Sequence, residues 1–540
     1  MNNSSNGGEC RRRASQTAAG VLAAVLLSGT ASVAVAADRV VIALDPPTVE
    51  TNLFWHGIGE RLPSMYSLVG QDEITGDYDN SELAAEWWAN DEFTEWTFRL
   101  HEDAEFHFDW GPVTAHDVVL SHDLHTGDDS TLTGAPQLKA DEVVAIDDHT
   151  VEFRFEQPRV DYAFMHAGRG SMYVYSKAQY DEEGLEGYDR LPAGTGPYQY
   201  KERRPGVSVI FERVEGDHWS GIEPDFQELE MRWVAEPATK LALLLAGEAH
   251  IVDLPRELQR DAVEQGFEII SSHNPAIQIT FMFNGLYMQS GDPAHRPELP
   301  WADVRVREAM NRALDRDVML EVLYDGRATP LVRYNMHEPH EGYVPELVER
   351  FEEMYGYDPE RAKELLAEAG YPDAFPDPVI PLVSVPWAGN PDFQPMAELI
   401  QVFFEEIGLQ TVIREMDTTS LGAMGRAREA YLLNPIRNAP IRPSEVGLRN
   451  TFTNQGSVYH GYEDDKINEL IDQLRATIDP DEREALIQEA FTYAFEQYTD
   501  MPIAAIDAEA VVNPEVVAEW TFPGVTSVGF SHWHLIKAAN

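Results

Sequence analysis

The sequence predicts an α/β protein built from two or three domains. One observation is length: 540 residues exceed what a single core organises, and 43% hydrophobic residues with eleven Trp supply apolar surface for several. Another is alternation. A strand at 379–385, a helix closing at Glu406 before Gly408 and a strand at 409–416 give the order of an α/β lobe with a largely parallel sheet. The third is the stretch 191–219, LPAGTGPYQYKERRPGVSVIFERVEGDHW, which reads as a tight turn followed by a hairpin.

In that stretch Pro192, Gly194, Gly196 and Pro197 make the turn, Tyr198 to Lys201 a strand, Arg204-Pro205-Gly206 a second turn and Val207 to Arg213 a second strand. The glycines do not form a phosphate cradle, because such a cradle opens a helix and this turn opens a strand.

Residues 1–36 read as a targeting segment. Arg11, Arg12 and Arg13 form a positive region, 18–27 an apolar stretch too short to span a bilayer, and Ala34-Val35-Ala36 a cleavage site. Cys10, the only cysteine, falls inside this segment, so the mature chain carries no disulfide, cysteine nucleophile, thiolate metal site or lipid-bearing cysteine. The expected product is a periplasmic protein, exported by the general secretory route and not lipid-anchored. The 40 Lys and Arg face 93 Asp and Glu, a net charge of −53. Such a surface repels nucleic acid and anionic membranes. Because the acids are scattered, they read as adaptation to a salty solvent rather than as a cation site.

In chain order, 40–44 is a short β-branched strand before Pro46-Pro47, and 51–56 (TNLFWH) a loop. Leu83-Ala84, Trp87 or Trp88, Trp96-Thr97-Phe98-Arg99-Leu100, Phe106-His107-Phe108 and Pro112 to Val118 follow, with Thr114 suited to cap a helix. Residues 143–155 read as a hairpin turning at Asp147-Asp148. Residues 239–247 are an apolar helix stopped by glycine, and 277–283 a strand. Asp303 can cap a helix in which Val306, Ala309, Met310, Ala313 and Leu314 recur at helical spacing; Arg305, Arg307 and Asp315 are expected to make structural pairs. Tyr324 to Pro330 reads YDGRATP. Asp358-Pro359 starts a helix that carries Ala362, Leu365, Leu366 and Ala369 on one face and stops at Gly370. A helix over 481–497 and strands at 501–506, 510–512 and 525–536 complete the chain.

These motifs, the GTGPY turn with its hairpin, the W-T-F-R-L … P-V-T-A-H-D-V run, D-V-R-V-R-E-A-M-N-R-A-L-D-R and the D-P … A-G-Y helix, resemble the large solute-binding proteins of peptide-type ABC importers, extracellular solute-binding protein family 5, over about residues 38–535. The resemblance implies a two-lobed periplasmic binding protein of class II, large type, with a small extra domain inserted in the first lobe. The implied division is a signal peptide at 1–36, lobe I at 37–75, the inserted subdomain at 76–190, lobe I again at 191–273, lobe II at 274–505 and a return to lobe I at 506–540. It implies a monomer that binds a peptide or similar polar solute between the lobes, works with permease subunits and cytoplasmic ATPases, and uses no cofactor.

The expected ligand-binding residues are Phe54, Trp55, Asn284, Trp387, Asn390, Asn434, Arg437 and Arg442. Phe54 and Trp55 read equally well as core aromatics. Peptide-binding members typically present an acid where this chain has 431–449, YLLNPIRNAPIRPSEVGLR, with no acid before Glu445. An arginine-and-asparagine loop suits a carboxylate, phosphate or polyol better than an ammonium group. An opine, an oligosaccharide or a metal complex therefore stands beside a peptide. Five histidines between His101 and His125 allow a metal site, with His122 and His125 three apart on a helix, but solvated polar faces are the default expectation. A secreted hydrolase is the remaining alternative; no nucleophile elbow or His-Glu-x-x-His occurs, and no enzymatic activity is expected.

Overall fold

Strand Arg39–Leu44 is buried along its middle because both of its neighbours are parallel strands, Glu228–Trp233 and Ile251–Val252. It lies near the centre of a seven-stranded sheet. From one edge the order is Glu268–Ser271, Glu509–Val512, Ile251–Val252, Arg39–Leu44, Glu228–Trp233, Ser208–Arg213 and Tyr198–Arg204. The computed structural model describes residues 38–46, 63–130, 135–166, 172–287, 293–338, 340–385, 392–439, 443–452, 462–524 and 530–539, all within the unit Ala36–Asn540.

A second sheet of six strands runs Ala328–Pro330, Asp500–Ile506, Ile277–Phe283, Leu433–Asn438, Val379–Ser384 and Gln410–Glu415. Val379–Ser384 pairs parallel with both of its neighbours; the other pairings are antiparallel. Both large sheets are thus mixed, not largely parallel. The strand–helix–strand unit at 379–416 is parallel as read, but the strands that enter and leave this body pair antiparallel beside it. Phe281, Phe283, Leu382, Phe404, Phe491 and Phe495 are fully buried in its core. Each contributes about 1.5–3 kcal/mol of apolar burial.

A third, four-stranded sheet joins Ala84–Ala89, Glu95–Leu100, Thr150–Arg154 and Glu142–Asp147. Its hairpin turns at Asp148-His149, one residue later than expected. Helix Ala115–Thr126 covers it. Asp117 reaches back to the backbone N–H and hydroxyl of Thr114, at 2.8 and 2.7 Å, closing the first turn.

The GTG turn fastens this sheet to the seven-stranded one. The N–H groups of Thr195 and Gly196 both donate to the Ser64 carbonyl, at 3.0 and 2.9 Å. His107 Nε2 donates to the Gly196 carbonyl (2.8 Å), and Trp219 Nε1 to that of Thr195 (2.8 Å). A Cβ at position 194 would lie 2.0 Å from the Ser64 oxygen, so glycine is required there by the closeness of two backbones.

Helix Val304–Arg312 is shorter than its periodicity suggests. Asp315 ends the pattern by capping a new helix, Arg316–Tyr324, through the Val318 N–H. Arg305 pairs with Asp303, whereas Arg307 makes no carboxylate contact among the described residues and instead donates to the carbonyls of Gln497, Trp301 and Ala302. The strand expected at 525–536 does not form over the described part, where Trp533–Leu535 is a 3-10 turn. Among the described residues no helix is long and apolar enough to cross a membrane.

Candidate functional site

Two segments join the large sheets. Residues 272–276 lead from Glu268–Ser271 into Ile277–Phe283, and 507–508 lead from Asp500–Ile506 into Glu509–Val512. They run side by side. Ser272 N donates to Ala508 O (2.9 Å), Ala508 N to Ser272 Oγ (3.0 Å) and Ala276 N to Ile506 O (2.8 Å).

A cavity of about 540 Å³ lies against these crossings. Its wall includes His273, Asn274 and Pro275 of one crossing, Ile74 and Thr75 of the segment leading to the four-stranded sheet, and Gln278, Thr329, Ala505, Met336 and His337 of the six-stranded body. Thr329, Ala505 and Gln278 are register partners across three strands, which puts their side chains on one face.

The segment after Pro330 covers that face. Gln278 holds it with both ends of its amide: Nε2 donates to Met336 O (2.9 Å) and Oε1 accepts from Asn335 N (2.8 Å). Asn335 takes a left-handed conformation, φ +65°, which asparagine tolerates, and its side chain donates to Thr451 Oγ1 (3.2 Å). Arg333 is drawn inward to Asp500, which also accepts from the Thr280 hydroxyl at 2.7 Å. At the cavity wall, both His337 ring nitrogens are buried without a hydrogen-bond partner among the described residues. Burial pushes this imidazole down to about 4, so it is neutral near neutral pH. His337 stacks on His340 with centroids 5.1 Å apart.

Of the eight expected ligand residues, Phe54, Trp55, Trp387, Asn390 and Arg442 lie outside the described residues. Asn284 and Asn434 are buried and meet each other, Asn284 Nδ2 donating to Asn434 Oδ1. Asn434 and Arg437 belong to strand Leu433–Asn438 rather than to a loop. Being three residues apart, they project from opposite faces. None of these three lines the cavity. Gln278, Asn335 and His337 were not anticipated; their partners are backbone atoms, a ring face and the Thr451 hydroxyl, brought together only by the fold.

On helix Ala115–Thr126, His116 is exposed as expected, but His122 and His125 depart from the expected solvated faces. His122 and His125 are buried, 4% and 1% exposed. His122 Nε2 accepts from Ala140 N (3.1 Å), and His125 Nδ1 donates to Ser121 O (2.6 Å). His122 Nδ1 also faces the Asp123 carboxylate at 3.5 Å, and the two rings pack beside Phe153 and Tyr175 respectively. Among the described residues no group of three or more His, Cys, Asp or Glu is placed to hold a metal ion.

Comparison with known proteins finds a family model, bacterial extracellular solute-binding proteins, family 5 Middle, matching residues 80–440. Heme-binding protein A of Haemophilus influenzae is 27% identical over 355 residues, 61% of this chain and 60% of that protein. The dipeptide-binding protein of Escherichia coli is 26% identical over 358 residues, 61% and 62% of the two chains. The matched regions thus span about three-fifths of these relatives. The structure of HbpA2 from Haemophilus parasuis superposes with a TM-score of 0.74 at 20% identity, covering 93% of this chain and 100% of that one. The fold is that of the two-lobed periplasmic binding proteins.

Proposed function

Because the chain belongs to the bacterial extracellular solute-binding proteins of family 5, we propose that it is the periplasmic solute-binding component of a peptide-type ABC importer, closing on a peptide or similar polar organic solute and delivering it to a membrane permease. The supporting observation is the pair of adjacent crossings, 272–276 and 507–508, with a cavity against them to which both sides contribute. Two short connections let the sheets rotate as bodies, and a solute that touches both favours the closed arrangement through its extra contacts there. The chain acts as a monomer, binds without transforming its solute and takes its energy from ATPase subunits. Residues 1–36 serve as its export signal.

Within 431–449 no acid precedes Glu445, so the stretch before it offers no carboxylate to a peptide's ammonium group and suits a polar solute that carries a carboxylate, phosphate or polyol. A second reading, a metal complex, is favoured by His337, whose two nitrogens are buried beside the cavity and have no partner among the described residues. A neutral imidazole can fill one open position on a metal that arrives with its own ligands. Native mass spectrometry of protein purified from its own periplasm tests both readings. A bound peptide supports the first and a bound metal complex the second; turnover of that molecule by the pure protein would refute both.

A further inference from the structure

Asp161 and Arg483 join the two bodies outside the crossing segments. Asp161 follows the last strand of the four-stranded sheet, just before the turn Tyr162–His166. Arg483 stands in the first turns of helix Pro480–Glu496, on the body built around the six-stranded sheet. Their contact is 2.7 Å, Arg483 Nη2 donating to Asp161 Oδ2. Neither residue lies in the crossing segments or the cavity wall.

The two partners are held differently. Arg483 is 8% exposed, and its Nη1 donates to the carbonyls of Leu474 (2.7 Å) and Thr477 (3.2 Å) at the end of helix Asp465–Ala476. Those carbonyls carry the negative end of the helix dipole and keep the guanidinium in place whatever Asp161 does. Asp161 is one-third exposed and rides on the sheet that the GTG turn fastens to the seven-stranded body. One side is a fixed socket and the other arrives with the opposite body.

A different contact sits at the crossings. Glu509, next to Ala508, faces both Arg256 (3.3 Å) and Arg327 (3.5 Å), and Arg260 pairs with Asp325 at 2.9 Å. Rotation about the crossings displaces atoms in proportion to their distance from them. Glu509, in the residue after the crossing, is placed to move little, whereas a contact between the two bodies outside the crossing segments is one that such a rotation would make or break.

We propose that Asp161 is an affinity-determining residue outside the solute site: its ion pair with Arg483 holds the closed arrangement and thereby sets how tightly any solute is retained. This rests on the solute-binding reading above. A state-selective contact multiplies apparent affinity by the change it makes in the closed population.

The test needs no solute. Single cysteines at Glu156 and Gln473, both exposed, carry spin labels on the two sides. The sole native cysteine is Cys10, so a chain beginning at Ala37 has no competing thiol. Distance distributions are compared for the wild type, Asp161→Asn and Asp161→Arg, with thermal unfolding as a control for folding. Asp161→Arg is expected to shift the open-to-closed ratio on the order of tenfold toward longer distances, with Asp161→Asn intermediate. Unchanged distributions in two folded variants overturn the proposal. Should Asp161→Arg fail to fold, Asp161→Asn alone decides it by the same readout. A shift in distances with no solute on the native protein would sustain the latch and count instead against the importer role.

Discussion

Arg333 and Asp500 form an ion pair of 2.7 Å in which each side chain is 1% exposed. The guanidinium also lies over the Phe452 ring, 5.4 Å from its centroid. Asp500 accepts further hydrogen bonds from Thr280 and Thr499. The pair ties the segment over the cavity to the strand that leads out of the six-stranded sheet. Arg333→Met strands a buried carboxylate and is expected to cost about 3–5 kcal/mol in denaturant unfolding, while an apolar replacement of both residues costs less. A double variant as unstable as the sum of the singles would disprove that coupling.

Gly194→Ala is expected to destabilise by about 1–3 kcal/mol, because the new methyl meets the Ser64 carbonyl at 2.0 Å and backbone must move. Gly196→Ala, with its nearest atoms at 3.1 Å, should cost less. Equal melting temperatures for the two variants would contradict this account of the turn.

Two buried groups pull the pH dependence of stability in opposite directions and offset each other between about pH 4.5 and 6.5. Burial holds the His107 imidazole at about 4, below its ordinary 6.5. Between those values the unfolded chain binds the proton and the folded one does not, so stability is lost as pH drops through this window, by on the order of 3 kcal/mol in all. His107→Gln should flatten that limb. Glu82 acts oppositely: burial raises it from 4.5 to about 8, so its contribution is lost as pH rises between those values. Glu82→Gln should flatten the alkaline side. Unfolding free energy measured from pH 4 to 8 checks both, and slopes unaltered by either substitution would exclude these groups as the cause.

Gln278→Leu should loosen the cavity wall. It removes the donor to Met336 O and the acceptor for Asn335 N, leaving two buried backbone groups without partners at about 1–3 kcal/mol each. Hydrogen exchange at Asn335 should speed accordingly, and protection equal to the wild type would show that the segment is held from elsewhere.

A net charge of −53 repels itself in the compact state, and added salt screens that repulsion. The melting temperature should rise between 0.1 and 2 M KCl. A fall would mean that specific ion pairs outweigh the general repulsion.

Local punctuation made most elements readable. Asp303 and Asp358 cap where expected, Gly370 closes its helix at φ +78°, and strand Ile277–Phe283 has the predicted bounds. What periodicity could not show was the direction of polar side chains. His122 and His125 read as surface residues because their partners, Ala140 N and Ser121 O, are backbone groups without a side-chain signature. The spacing of Asn434 and Arg437 did contain its answer, since three positions along a strand reverse the face. The segment 331–338 carries no regular pattern, and its place over the sheet depends on Gln278, more than fifty residues earlier.

The order of strands in the seven-stranded sheet bears on how the chain is made. Glu509–Val512 is inserted between Ile251–Val252 and Glu268–Ser271. Until residue 512 has emerged, those two strands face an empty slot and bare edges that invite wrong pairing. Completion of this sheet must wait for residues 509–512, some 240 positions after the strands they join, which makes its assembly a late, long-range event and leaves the chain dependent on protection while it waits.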